Sequence, residues 1–153
     1  MHFDWQQLCE SKLLISAGTA WLIAQLLKTL LYLIMNREWN WERLVGAGGM
    51  PSSHAALVCN LAVGTLVQYG LGSFEFAICF VLAVIVLHDA RGVRLEAGRQ
   101  AKILNELIRS LQDHESSPLA NVYLKELVGH TPLQVLAGAL LGIAEALASG
   151  TTS

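Results

Sequence analysis

Four apolar segments, each bounded by polar or glycine-rich text, constrain this chain more than any other feature. Residues 13–35 have the length of a full bilayer crossing, because about 20 helical residues rising about 1.5 Å each cover the hydrocarbon core. Residues 55–71, 74–87 and 135–148 are shorter, near the length at which buried core helices and re-entrant segments compete with spanning ones. Composition supports a membrane setting: 54% of the residues are hydrophobic and only 14% charged, against about 25% charged in soluble domains. A net charge of −2 supplies no global field to draw nucleic acid or an anionic surface. Cys9, Cys59 and Cys79 are isolated, so they read as small hydrophobes with no disulfide framework and no metal knuckle.

The opening MHFDWQQLCESK carries acids and no basic stretch, and the apolar run behind it has no small-residue cleavage pattern, so that run reads as a retained span. Gly70-Leu71-Gly72-Ser73 predicts a tight turn that makes an antiparallel hairpin of the second and third segments. In the last segment, GALLGIAEALASG repeats the small residues that let helix backbones approach closely in lipid. Glu75 and Glu145 stand near segment ends and read as solvated. Residues 88–129 form the one long polar region, and LEAGRQAKILNELIRSLQ within it places Leu95, Ile103, Leu104, Leu107, Ile108 and Leu111 largely on one stripe. That predicts an amphipathic helix against the membrane or the bundle, followed by a loop at DHESSPLAN. The expected architecture is one domain over residues 1–153: an all-α integral membrane bundle of about four spanning or embedded helices, with an amphipathic helix in a polar insertion at 95–129.

Antiparallel spans bring the loop after the first segment and the long loop after the third to one side. That side collects GGMPSSH (48–54), HDARGVR (88–94) and GHTP (129–132). Lys28 lies inside the first span about two turns from the same end, with Gln25 one turn deeper. An ionisable group at such a depth is costly unless it reaches water or a partner. Read singly, these residues have plainer roles: PSSH and Thr131-Pro132 are good helix starts, and Arg91 and Arg94 suit anchors on a cytoplasmic face.

Together they suit phosphoryl transfer. Its transition state spreads negative charge over three equatorial oxygens, so cations and oriented N–H donors are the main requirement. Arg91 and Arg94 offer planar forks and Lys28 a movable point charge. Gly49 permits close backbone approach, and Ser52 and Ser53 put hydroxyls and amides at a helix N-terminus, which favours an anion. His54 and His130 can divide the remaining work, one attacking phosphorus and the other protonating the leaving oxygen. This set requires no metal and no cofactor.

At these residues the chain resembles the type 2 phosphatidic acid phosphatase and vanadium haloperoxidase superfamily, most closely its small divergent bacterial and plant branch. The superfamily pattern runs Lys-x6-Arg-Pro, Pro-Ser-Gly-His, then Ser-Arg-x5-His-x3-Asp. Pro51-Ser52-Ser53-His54 is similar to the second part with Ser for Gly, and the run from His130 to Gly138 is similar to the third. Lys28 then stands for the first-part lysine and Arg91 or Arg94 for the third-part arginine, displaced by the insertion. The resemblance implies a helical bundle and a nucleophilic His130, with His54 as the acid. Two departures stand out: no Arg-Pro follows Lys28, and Gln134 replaces the aspartate that would orient the nucleophile. Gln134 supplies a carbonyl without charge, so Asp89 becomes the nearest candidate for the orienting acid.

The implied activity is hydrolysis of a lipid phosphate or diphosphate, of phosphatidic acid or isoprenyl diphosphate type, through a phosphohistidine. The alternative is a non-catalytic phosphate-headgroup binder or transport-related membrane protein that keeps the cradle; a structural subunit of a larger membrane complex is a third reading. Expected partners are the lipid substrate and the bilayer, with no nucleic acid; a homo-oligomer stays open. Arg37, Arg43, Arg91, Arg94, Arg99, Lys102, Arg109 and Lys125 gather on the loop side against Lys12 on the other. The expected setting is therefore a multi-pass cell (inner) membrane protein with cytoplasmic site loops.

Overall fold

The computed structural model describes residues 11–39, 49–112, 124 and 131–149, with the side chains at 93–95 and 111–112 outside that description. Among the described residues all regular structure is helical: α1 (Lys12–Asn36), α2 (Ser53–Tyr69), α3 (Phe74–Arg91), α4 (Val93–Gln112) and α5 (Pro132–Ala148). Local chemistry sets the ends. Ser52, Ser73 and Thr131 cap α2, α3 and α5 by accepting from the backbone N–H groups of Ala55, Phe76 and Gln134. Gly70, at φ +86°, ends α2, and the Ser73 hydroxyl donates to its carbonyl at 2.8 Å, which closes the hairpin turn.

The bundle is built inside out relative to a soluble one. α1 turns Ser16, Ala17, Ala20, Ala24, Gln25, Lys28 and Thr29 inward, while Leu22, Leu26 and Leu30 face outward with about half their surface exposed. Lipid is as apolar as leucine, so large side chains gain little by burial and small ones gain close packing. α2 is the central helix, packed against α1, α3 and α5. Its crossing with α5 is backbone against backbone: a Cβ at Gly138 would lie 2.2 Å from the Ser52 carbonyl oxygen, and one at Gly142 would lie 2.1 Å from that of Ala56. α1 and the helix beginning at Phe74 are long and apolar enough to cross a membrane, while α2 and α5 have 17 residues each. The fold is an all-α integral membrane bundle.

Two features differ from the sequence expectation. His88, Asp89 and Arg91 do not belong to a loop; they form the last turn of α3, which runs one turn past residue 87 because nothing breaks it before Gly92. Glu145 is half-buried and hydrogen-bonded within the bundle. It accepts hydrogen bonds from Ser16 at 2.8 Å and Thr19 at 2.7 Å, and also from Asn60. One turn before the end of α5, its side chain points across the bundle towards α1 and α2, a rotation that linear position does not reveal.

α4 touches only α3 among these helices, and Ile103, Leu104 and Leu107 on its apolar stripe are exposed. Its polar side carries an exposed Arg99–Glu96 pair at 3.3 Å. This is the form of an amphipathic helix with an exposed apolar stripe. Buried Asn105 grips the backbone of Leu124, accepting from its N–H at 2.9 Å and donating to its carbonyl at 2.8 Å. That grip ties Leu124 back to α4.

Candidate phosphate site

One end of the bundle assembles the C-terminal half of α1, the start of α2, the end of α3 and the start of α5. Its floor is a small apolar cluster of Ala55, Ala90 and Val135, with Leu87 packed against it. Each of these is a chain neighbour of a candidate functional residue: Ala55 follows His54, Ala90 lies between Asp89 and Arg91, and Val135 follows Gln134. The apolar contacts thereby hold three polar segments in register.

Lys28 enters this end from α1 and is 2% exposed. A side chain at position 49 would meet its Cγ and Cδ at 3.0 Å, so the lysine stem runs directly beneath Gly49, whose φ is +91°. Glycine is needed there for the backbone angle and for the space. The Met50–Pro51 peptide is cis. Ser52 and Ser53 are buried and His54 is exposed at the mouth. The Ser52 N–H donates to the Gln134 carbonyl at 3.0 Å, which joins the first turns of α2 and α5. Two helix N-termini thus lie side by side, where the helix dipoles favour an anion.

The positions assigned from sequence divide as follows. Lys28, Gln25, Gly49, Ser52, Ser53, His54, Asp89, Arg91 and Gln134 all lie on elements that meet at this end. Gln25 and Lys28 are buried, Asp89 is half-buried and Arg91 is exposed on the last turn of α3. His130 lies outside the described residues, although Thr131, its neighbour, is fixed as the cap of α5. Arg94 is in the first turn of α4, and its side chain lies outside the described residues.

Gln134 also has a structural employment at the start of α5. It is the third residue of a capping box: its side-chain carbonyl accepts from the Thr131 N–H at 3.1 Å, while the Thr131 hydroxyl accepts from the Gln134 N–H at 3.4 Å. Ser or Thr followed three residues later by Gln is the sequence signal for that box, and Thr131-x-x-Gln134 carries it. Sequence reasoning missed a further polar group, Ser16, Thr19, Asn60, Glu145 and Ser149, at some distance from this site. Its signal was Asn60 in the middle of an apolar run.

The chain is 39% identical over 139 residues to a protein of Bacillus subtilis (strain 168) named uncharacterized membrane protein YuiD, an alignment covering 85% of this chain and 88% of that one. No solved structure matches the chain. The PSSH, HDAR and TPLQV segments that the fold joins at one end all fall within residues 9–145, the stretch matched by the family described as the Divergent PAP2 family, and the chain belongs to that family.

Proposed function

We propose that this protein hydrolyses a lipid phosphate or diphosphate at the membrane surface through a phosphohistidine intermediate. Membership of a phosphatase-related family supports the reaction class. The observation that carries the reading is the meeting of buried Lys28 with the Gly49 backbone and the paired N-termini of α2 and α5. Lys28 and the first turns of two helices meet there beside the exposed His54.

In this reading His130 attacks phosphorus with a neutral imidazole lone pair, and the P–O bond to the lipid breaks. His54 delivers the proton that the departing oxygen requires. Water then attacks the phosphohistidine, releasing inorganic phosphate and restoring His130. Lys28 with Arg91 or Arg94 holds the equatorial oxygens, where charge grows towards the transition state. Asp89 orients the imidazole. The site faces the cytosol, because basic residues concentrate on its side.

The test is release of phosphate from phosphatidic acid, phosphatidylglycerol phosphate and isoprenyl diphosphates by purified protein in nanodiscs, with His130→Ala as control. Release that the control abolishes supports hydrolysis. One observation favours a second reading, a phosphate-headgroup binder without turnover: the Gln134 carbonyl serves the α5 cap. Saturable headgroup binding without phosphate release would decide for it.

A further inference from the structure

α3 has 18 residues, about 27 Å of helix and close to the thickness of the hydrocarbon core. Its last turn, with His88, Asp89 and Arg91, therefore leaves the lipid at the headgroup layer. One residue, Gly92, separates it from α4, which begins at Val93. α4 thus starts where bilayer meets water, and among the described helices it touches α3 alone.

Around its axis α4 has three distinct sides. Gly98, Ala101, Asn105 and Ile108 recur at intervals of three and four; Gly98 and Asn105 are buried, Ala101 and Ile108 half-buried. On this side Asn105 holds the Leu124 backbone through two hydrogen bonds, so the chain's own packing is made here. Ile103, Leu104 and Leu107 lie roughly 130° round the helix at 3.6 residues per turn, and 58%, 47% and 52% of their surface is exposed. The apolar stripe is therefore not the packing side, and in water three adjoining branched side chains invite association. Lys102, Glu106, Arg109 and the Arg99 that pairs with Glu96 fill the arc between the two.

We propose that α4 lies on an anionic bilayer surface, with Ile103, Leu104 and Leu107 among the acyl chains just below the headgroups and Lys102 and Arg109 beside the lipid phosphates. Two observations identify the occupant. The stripe continues a lipid-facing surface, since α3, whose Val81, Val84 and Ile85 are exposed to the bilayer, runs into α4 across a single residue. The charge fits as well: Arg94, Arg99, Lys102 and Arg109 against Glu96 and Glu106 give α4 a net +2, in a chain whose net charge is −2. Cations beside an apolar stripe suit an anionic leaflet, because their long stems stay in apolar surroundings while the charged ends reach headgroups. Docked in this way, α4 holds the last turn of α3, and with it Asp89 and Arg91, at headgroup depth.

The test is a spin-label scan of the purified full chain in nanodiscs, in a Cys9→Ala, Cys59→Ala, Cys79→Ala background. Labels at Ile103→Cys, Leu104→Cys and Leu107→Cys should collide with molecular oxygen, which concentrates in lipid, and be shielded several-fold from a water-soluble nickel chelate. Labels at Lys102→Cys and Arg109→Cys should show the reverse. Shielding should be stronger in discs that contain phosphatidylglycerol than in phosphatidylcholine alone. All five positions are exposed, so the labels leave the packing side intact; if Cys59→Ala impairs folding, Cys59, buried in the bundle, is kept. Ready nickel collision at the three apolar positions places the stripe in water and overturns the proposal. Shielding from both reagents overturns it too, because it places protein over the stripe, a second copy or another part of this chain. Equal shielding in the two lipids refutes the anionic preference. No substrate is present, so failure here is separate from failure of the hydrolase reading.

Discussion

Gly138→Ala adds one methyl group at the closest crossing in the bundle, and its effect can be worked from the geometry. The new Cβ would lie 2.2 Å from the Ser52 carbonyl oxygen and 3.0 Å from the Ser52 N and C atoms. Carbon and oxygen in ordinary contact stand well over 3 Å apart, so α5 or the start of α2 must shift by about 1 Å in an interior as closely packed as a crystal. No flexible side chain can give way, because every opposing atom is backbone. Overpacking of this kind costs about 1–3 kcal/mol, and loss of the Ser52–Gln134 backbone bond at 3.0 Å adds roughly 0.5–1.5 kcal/mol. A total on the order of 2–4 kcal/mol lowers the folding equilibrium by a factor on the order of 10².

The assay is the unfolding midpoint in nanodiscs, read beside phosphate release. Gly142→Ala should behave alike in stability, since its Cβ would lie 2.1 Å from the Ala56 carbonyl oxygen. Gly18→Ala is the control: that glycine is exposed on α1 with nothing within 4 Å, so alanine should be neutral or stabilising by about 1 kcal/mol through helix propensity. A Gly138→Ala protein as stable as the Gly18→Ala control refutes the close crossing. One that is destabilised yet keeps full turnover refutes the link between that crossing and the site.

Lys28→Ala should lower turnover by an amount equivalent to a few kcal/mol while the protein still inserts, because the lost charge acts mainly in the transition state; paired with Arg91→Ala, simple multiplication of two small losses would argue against a shared site. Gly49→Ala should reduce turnover as well, since its φ of +91° strains an L-residue and its Cβ would meet the Lys28 stem at 3.0 Å; unchanged kinetics would remove Lys28 from beneath that loop. Asp89→Asn should impair turnover more than Gln134→Ala, whose main effect should be a weaker α5 cap, about 1 kcal/mol of stability. Ser117→Cys should resist a membrane-impermeant thiol reagent in intact cells, and ready labelling would reverse the proposed topology.

Much of the helical frame was legible because its signals are local. The apolar stretch 13–35 became Lys12–Asn36, and the Ser52 and Thr131-Pro132 starts capped α2 and α5 as their residue types suggest. The meeting of Lys28 with the PSSH loop was also legible, since antiparallel spans and a count of turns suffice to bring them to one end. What stayed hidden depends on rotation about helix axes. Glu145 is 85 to 129 residues from the groups that bind it, and no linear spacing shows that its face of α5 is the one turned towards Ser16 and Asn60. The extension of α3 through His88–Arg91 was missed for a different reason: polar residues read as loop, whereas a helix can carry them in its last turn where it leaves the lipid.

The first turn of α5 has two duties that fall on one residue, Gln134. Its capping box takes the Gln134 side-chain carbonyl for the Thr131 N–H, and the Gln134 main-chain carbonyl receives the Ser52 N–H. An aspartate at 134 could also serve as a cap partner, but it would bring a negative charge to the joined N-termini of α2 and α5, where the helix dipoles favour an anion. That is the place the substrate phosphate would occupy. Glutamine keeps the cap and leaves the positive end of both dipoles for the ligand, at the cost of a charged partner for His130. In the proposed hydrolase Gln134→Asp should therefore weaken the binding of inorganic phosphate while raising turnover per bound substrate. A variant that binds phosphate more tightly than the parent, or that loses binding and turnover in equal measure, would show that position 134 does not arbitrate between the two.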